Sequence, residues 1–434
     1  MNIQNIYQLY SISSGIEINS KKVKKGSIFI ALKGKNFDGN QFADEAISNG
    51  AILAIVDSKK SVVSKKKPIV SVENTLYFLH ELAMYHRYKL HYIPIIVITG
   101  SNGKTTTKEL TVSILSKKYK KVHYTKNNFN NHIGIPLTIL SMPVDAQISV
   151  MEIGANHEKE IEKMCSIINP DYGYITNFGK AHLEGFKSIE GVIRSKLELY
   201  NFLKKNKKLV FINGDDSVQL SNSTEMNRYI FSGKKKEKSD IHVQYLWKKN
   251  SIKSSLSIQN IEIVSSLIGD YNLYNIASAI SIGTYFKVPL KKIKEAVEEY
   301  VPNNYRSQIL TKNNVKIIVD CYNANPTSMI EALTFFNKIQ GKKIVILGDM
   351  LELGLFSYNE HEKIISFIKK SNIYIAFLIG NIFFNTQKTS YKIKKFMKKN
   401  FFVEWIKKYS IQKTDYILMK GSRRIALESI IDLI

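Results

Sequence analysis

Residues 95–106, Ile-Ile-Val-Ile-Thr-Gly-Ser-Asn-Gly-Lys-Thr-Thr, restrict the fold more than any other stretch of this chain. Pro94 followed by five apolar or β-branched residues predicts a strand, the glycine-bounded stretch after it a tight turn, and Lys104 onward a helix. Strand, glycine turn and helix in that order gather backbone N–H groups and a helix N-terminus around one point, which is how a chain binds phosphate. Gly100, Ser101, Asn102 and Gly103 then form the cradle, and Thr106 continues the helix start. Lys104 reaches the outer phosphates of a nucleoside triphosphate, and the Thr105 hydroxyl is placed for Mg²⁺. The usual pattern has a glycine five positions before the second one; here that position is Ile98, so the loop is a shorter form.

The rest of the chain repeats the strand and helix alternation. Strand-like runs at 148–153, 172–177 and 209–212 are separated by helical stretches, which predicts a mostly parallel sheet covered on both faces. Before the loop, short apolar runs at 27–32 and 51–56 flank a turn cluster at 33–39, the pattern of a small α/β unit. The polar run 232–239 reads as a surface loop, with strand-like segments to 268 and helical patterns over 271–300. A link at 301–304, Val-Pro-Asn-Asn, precedes apolar strands at 315–319, 343–347, 374–379 and 416–419, a second doubly wound unit. The expected fold is α/β in three domains: a small N-terminal α/β domain over 1–90, a central P-loop ATPase domain with a mostly parallel sheet over 91–301, and a C-terminal Rossmann-like domain over 302–434.

A formal charge of +26 invites a nucleic-acid reading, but only six of the 63 basic residues are Arg, and the Lys residues are scattered over predicted helix faces and loops. No basic cluster is interleaved with aromatics, so the charge reads as a solvated surface suited to attracting a polyanionic substrate. No apolar run approaches the length of a membrane span, the N-terminus lacks a leader pattern, and two cysteines, Cys165 and Cys321, cannot make a disulfide framework. A cytoplasmic protein without membrane insertion is expected.

Phosphoryl transfer needs cations against the transferring group, so metal ligands are sought at strand ends facing the loop. Glu152, after the apolar run 148–151, is so placed, and His182 follows another strand end. The loop resembles that of the Mur ligase and folylpolyglutamate synthetase superfamily. The resemblance implies that His182, in the Ala-His pair 181–182, binds a second Mg²⁺. It also implies that Lys196, in Ser-Lys-Leu-Glu at 195–198, is carbamylated on its amine and helps hold that ion. By itself Lys196 reads equally as a surface residue of the helix after Glu190. The polar segment 127–136 resembles the family's Asn-Asn-x-Asn-Asn stretch, which brings Asn127 and Asn131 beside the nucleotide phosphates and the acceptor substrate.

Further blocks extend the resemblance over nearly the whole chain and narrow it to the branch of the Mur ligases that joins D-alanyl-D-alanine to a UDP-N-acetylmuramoyl-tripeptide with ATP and Mg²⁺. These are Phe-Ile-Ala-Leu-Lys-Gly at 29–34 with Phe-Asp-Gly-Asn-Gln-Phe at 37–42, Met-Glu-Ile-Gly-Ala-Asn at 151–156, Tyr-Asn-Ala-Asn-Pro at 322–326, Gly-Asp-Met-Leu-Glu-Leu-Gly at 348–354 and Lys-Gly-Ser-Arg at 420–423. The resemblance implies that Ser20, Lys33, Gly34, Asp38 and Gly39 hold the UDP part, and that Tyr322, Asn323, Asn325 and Asp349 serve substrate. It assigns Asn272 and Asn275 to adenine, Arg306 to the ATP phosphates and Asp320 to the ribose; on the residues alone, the Asn pair could equally line a helix start and Asp320 close a strand turn. The sequence departs from the family at Asn19-Ser20-Lys21, where Asp-Ser-Arg is usual, at Tyr271, where His is common, and at Lys159, where Gly is usual. Lys104, His182 and Lys196 are the expected catalytic residues, a monomer is expected, and a sister ligase of the same superfamily is the alternative that the Tyr-Asn-Ala-Asn-Pro and N-terminal blocks oppose.

Overall fold

The structure is a computed structural model that describes residues 2–34, 36–58, 68–234, 239–246, 252–302, 305–409, 411 and 414–434. Parts of the loop read at 232–239 and of the link read at 301–304 lie outside the described residues. Contacts group the chain into two units: 1–97 with 119–154 and 159–172, and 98–118 with 155–158 and 173–434. This division by contacts cuts the strand Ile95–Thr99 and joins segments 119–154 and 159–172 to the first unit.

Packing in the first unit accounts for this. Four parallel strands, Ile16–Glu17, Ile28–Ile30, Leu53–Val56 and Ile69–Ser71, lie side by side in that order. Their core is built largely from small residues, Ala31, Ala43, Ala46, Ala51 and Ala54 beside Phe29, so the helix Ala43–Ser48 packs close to the sheet. The helix Thr75–Lys89 starts on Asn74, whose side chain accepts from the Tyr77 amide. It then packs on the helices Gly134–Leu140 and Glu160–Ile168. Two of its residues tie it there: His86 bonds Tyr7 on one side and the Met142 carbonyl on the other, and Arg87 is buried.

Arg87 uses all of its guanidinium. It donates to the carbonyls of Ile168 at 2.9 Å, Leu90 at 2.7 Å, Ile93 at 3.0 Å and Asn169 at 3.1 Å, and to the Asp171 carboxylate at 3.0 Å. Lys has one compact ammonium and cannot span these directions. Arg87→Lys is therefore expected to destabilise the protein by about 2–3 kcal/mol, since carbonyls are left buried without donors. Urea unfolding followed on the first unit checks this; an unchanged midpoint would mean that the knot does not support the fold.

In the second unit, the phosphate-loop helix Lys104–Ser116 packs on the helices Asp270–Tyr285 and Leu290–Glu299. Strands Leu209–Asn213, Asn227–Ser232 and Ile241–His242 run parallel, and a three-stranded antiparallel sheet follows over Gln244–Leu246, Lys253–Ile258 and Ile261–Ile268. The last part holds a six-stranded sheet in the order Gln308–Lys312, Val315–Asp320, Tyr416–Lys420, Lys343–Gly348, Ile375–Ile379, Ile393–Phe396. All its pairs are parallel except the first, a hairpin whose two turn residues, Asn313 and Asn314, both sit at positive φ as a tight turn of that hand requires. The final strand of the chain slots between the two that precede it in space, so the carboxyl ends of 315–320, 343–348 and 416–420 meet at a switch of strand order, where open α/β sheets bind ligands.

Candidate active site

The phosphate loop is anchored by the residues just after the strand Tyr172–Ile175. Thr176 and Asn177 side chains both donate to the Asn102 carbonyl, at 2.5 and 3.0 Å; Asn177 also accepts from the amides of Ser101 and Asn102, and the Ser101 hydroxyl reaches the Gly179 carbonyl. A side chain at Gly100 would strike the Thr176 hydroxyl at 1.9 Å, and one at Gly103, which has φ 81°, would strike Asn275 at 2.3 Å. Thr176 and Asn177 were not among the expected site residues, although their place at the carboxyl end of the strand predicted over 172–177 was the available signal. Lys104 folds its ammonium over the loop onto the carbonyls of Gly100 at 2.7 Å and Ser101 at 3.1 Å. Thr105 and Thr106 open the helix and are buried.

Asn272 and Asn275, expected at the adenine, bond one another, the backbone and the loop helix. Asn272 donates to the Ile268 carbonyl at 2.7 Å, Asn275 donates to Asn272 at 2.9 Å, and the Asn275 oxygen accepts from Thr107 of the loop helix. The pair is buried and supports the loop from beneath, the helix-lining alternative that their spacing left open.

Across the switch point, Asp320 and Lys420 are register partners on neighbouring strands and form an ion pair, with the Lys420 ammonium buried. The other Asp320 oxygen accepts from the Ser307 amide at 3.3 Å, so Asp320 ties Arg306's neighbour to the sheet, and the Ser307 hydroxyl meets the Tyr271 hydroxyl at 2.9 Å. Burial pushes the Tyr271 phenol well above its ordinary range. Burial also lifts the Glu331 carboxyl up to about 7, with Lys420 opposing and Asp320 adding to the shift. Arg306 lies between two residues at positive φ, Tyr305 and Ser307, and its guanidinium carbon sits 3.5 Å from the centre of the Tyr322 ring. Its Nε is buried with no hydrogen-bond partner among the described residues, an orphaned donor of the kind an anion satisfies.

The Tyr-Asn-Ala-Asn-Pro segment reaches the loop directly. Asn325 caps the helix Pro326–Lys338 through the Ser328 amide and donates to the Asn102 side chain at 2.7 Å, while the Thr327 hydroxyl accepts from the Lys180 amide at 2.8 Å. Asn323 is exposed. Asp349, expected to serve substrate, is held by neighbouring backbone. It is 3% exposed, and its carboxylate accepts from the amides of Ile382 and Phe383 at 2.9 Å, so it shapes the neighbouring loop.

His182 sits at φ 52°, with Nδ1 2.6 Å from Glu352, a residue the sequence reading quoted within its motif but gave no role; the contact with His182 draws the Glu352 carboxyl below its usual range. Lys196 is 2% exposed, with its ammonium 5.3 Å from the Phe186 ring centre, so it is not the surface residue its helix position allowed.

In the first unit, two of the expected UDP-binding residues, Lys33 directly and Asp38 through Asn40, gather about a carboxylate, Asp57, that the sequence reading did not single out. Lys33 pairs with Asp57 at 2.7 Å, and Asn40 donates to both Asp38 and Asp57. Burial alone would raise the Asp57 carboxyl, but Lys33 and Asn40 outweigh it and hold it below its usual range. Gly34 pairs with Phe37 in the small hairpin, and Gly39 lies against the Leu32 carbonyl, which a side chain there would meet at 2.6 Å. Ser20 donates to Glu45 at 3.1 Å, and Asn19 caps the short turn after it, so the departure from the family motif is absorbed locally. Asn127 is exposed at φ 49°, and Asn131 accepts from the amides of Ile133 and Gly134 at the start of a helix. It is Asn130 that touches Glu152, donating at 2.8 Å.

Among the described residues no group of three or more His, Cys, Asp or Glu side chains is arranged to hold a metal. The Thr105 hydroxyl at the loop is a hard oxygen donor of the kind that suits Mg²⁺, which keeps several waters and leans on substrate phosphates in place of an all-protein cage. No helix among the described residues is long and apolar enough to cross a membrane.

Comparison with known proteins bears on these arrangements. Residues 13–87 match the model of the Mur ligase family catalytic domain, 98–283 that of the Mur ligase middle domain, and 305–423 that of the Mur ligase glutamate ligase domain. The chain is 31% identical to the UDP-N-acetylmuramoyl-tripeptide–D-alanyl-D-alanine ligase of Bacillus subtilis, over 98% of this chain and 94% of that one. It is 34% identical to the ligase of the same name from Buchnera aphidicola subsp. Baizongia pistaciae, over 99% and 94%. Among solved structures, a MurF from Acinetobacter baumannii superposes with a TM-score of 0.86 at 27% identity, covering 98% of this chain and 97% of that one. A MurF ligase from Thermotoga maritima in complex with ADP superposes with 0.84 at 26% identity and the same coverage.

Proposed function

The chain belongs to the Mur ligase family, and on that premise we propose that it joins the amine of D-alanyl-D-alanine to the terminal carboxylate of UDP-N-acetylmuramoyl-tripeptide, consuming ATP in peptidoglycan precursor synthesis. The observation that carries this reading is the pairing of full-length likeness to ligases of that name with a phosphate loop contacted by the Tyr-Asn-Ala-Asn-Pro segment through Asn102 and Asn325.

The tripeptide carboxylate attacks the γ-phosphate of ATP and gives an acyl phosphate and ADP. The free amine of D-alanyl-D-alanine then attacks the activated carbonyl, and phosphate leaves. A bare carboxylate lacks a usable leaving group, which is why ATP is needed. The loop amides and Lys104 neutralise charge on the moving phosphoryl group, and the orphaned Nε of Arg306 supplies a further donor for phosphate oxygens. Bound Mg²⁺ supplies the remaining charge compensation, and Thr105, Glu152, His182 and a carbamylated Lys196 are the residues that would hold it. Asp320 and Lys420 form the polar end of the nucleotide crevice, and the Asp57 cluster orients Lys33 toward the UDP part. Contact of Asn325 and Thr327 with residues 102 and 180 supports a working form in which the last sheet covers the loop and keeps water from the acyl phosphate. A cytoplasmic monomer in three domains, 1–90, 91–301 and 302–434, completes the reading.

Phosphate release from ATP with Mg²⁺ tests it, comparing UDP-muramoyl-tripeptide alone, D-alanyl-D-alanine alone, and both. Release only with both, together with the mass of a UDP-muramoyl-pentapeptide, is the expected result. ATP binding without release by any pair of these substrates would overturn the specificity and leave the fold.

A further inference from the structure

His182 and Glu352 both adopt left-handed backbone, φ 52° and 63°, a conformation that histidine takes more readily than glutamate. Such conformations cost about 1 kcal/mol or more each and persist where surrounding structure holds them. Here the two strained residues hold one another. Glu352 Oε2 lies 2.6 Å from His182 Nδ1, and the Glu352 carbonyl accepts from the Glu184 amide at 3.1 Å. Gly354 lies against Glu184 as well, where an added side chain would meet its Cα at 3.3 Å. The segment after the strand Lys343–Gly348 thus grips the turn 182–184 by side chain and by backbone.

The side-chain contact settles where the ring proton lies. Two lone pairs cannot approach to 2.6 Å without repulsion, so Nδ1 opposite a carboxylate carries the proton, even though the ring N–H is not squarely aimed along the contact. At a pH where the ring is neutral, Nε2 is then the nitrogen with the free electron pair. A carboxylate behind one imidazole nitrogen orients the ring and raises the basicity of the other.

We propose that Glu352 is a positioning residue: it holds the His182 ring through Nδ1 and leaves Nε2 as the nitrogen for a ligand, so that His182 is set for its task only when the 349–354 segment is docked. The inference rests on the ligase reading for what His182 does, but the pairing itself is testable without catalysis.

The test uses the full chain labelled with ¹⁵N-histidine and free of metal, with the His182 signals assigned by their loss in His182→Gln. Wild type should show a protonated Nδ1 and a pyridine-like Nε2. Glu352→Ala should move the ring toward the opposite or a mixed tautomer and lower kcat by roughly 10–100-fold, with the KM for the tripeptide substrate within about twofold. Glu352→Gly separates positioning from folding, because glycine relieves the left-handed strain; it should unfold no earlier than wild type and still lose the tautomer and the rate. Unchanged His182 signals in both variants, or a Glu352→Gly enzyme as fast as wild type, would overturn the proposal. If wild type releases no phosphate yet shows the Nδ1 proton and loses it in Glu352→Ala, the pairing stands and the ligase reading fails.

Discussion

Lys104→Ala should cut phosphate release by about 10³-fold, while UDP-muramoyl-tripeptide binds within about twofold of its wild-type affinity. The ammonium lies on the carbonyls of Gly100 and Ser101, inside the curve of the loop, so its charge is where a γ-phosphate develops charge during transfer. Preorganised charges of this kind contribute on the order of 10²–10³ in rate when removed singly, and a phosphoryl transfer that relies on positioning and electrostatics sits at the upper end. The UDP part is proposed to be held by a different set of residues, Lys33 with Asn40 and Asp57 in the first unit. Isothermal titration with the UDP substrate and coupled phosphate release with both substrates measure the two halves separately. A variant that turns over like wild type removes the loop from the chemistry, and one that also loses the UDP substrate shows that the change spread beyond the loop. Because Lys104 also bonds its own loop, thermal unfolding of the variant belongs in the same experiment.

What could be read from the sequence follows from how local each feature is. The phosphate loop was legible because strand, turn glycines, lysine and helix are consecutive, and each has its own physical signature. The residues that hold that loop were not. Asn325 is 223 positions from Asn102, and nothing in either neighbourhood announces the other. The same holds for Arg87, whose carbonyl partners at 168 and 169 carry no side-chain signal at all. Asp320 and Lys420 could have been paired in advance only by knowing that the last strand lies beside Val315–Asp320, a matter of topology. Asn272 and Asn275 show the opposite limit: their spacing on a helix was readable, yet which way that face turned depended on the packing of Asp270–Tyr285 against the loop helix. Asp349 fell in a strong motif and was assigned to substrate, whereas the amides of Ile382 and Phe383, over thirty positions away, take up its carboxylate. The strand Gln308–Lys312 went unread because it is short and mixed, and it is held as an edge by the Asn313-Asn314 turn more than by its own pattern.

Lys196→Ala should lose activity by about 10²-fold or more and regain part of it when formate or acetate is added. The Lys196 amine is 2% exposed and held beside the Phe186 ring, so its place in the site is fixed by packing. The free amine is the form that adds CO₂, and the product is a carbamate, which carries negative charge where the helix Ile189–Lys205 would otherwise deliver positive charge. A carboxylate of similar size can enter the space left by alanine and restore that charge, whereas Lys196→Arg keeps a cation and has no such rescue. The wild-type chain should carry the CO₂ adduct when its mass is taken under bicarbonate without acid, and Lys196→Ala should not. Retention of full activity by Lys196→Ala would remove the residue from the reaction; loss of activity with no rescue, together with an unmodified wild-type mass, would leave a buried lysine whose part is to pack against Phe186. The distinction matters for the whole site, because a cation at 196 would oppose the Mg²⁺ that His182 is proposed to share, and an anion there would complete the set of charges around the transferring phosphoryl group.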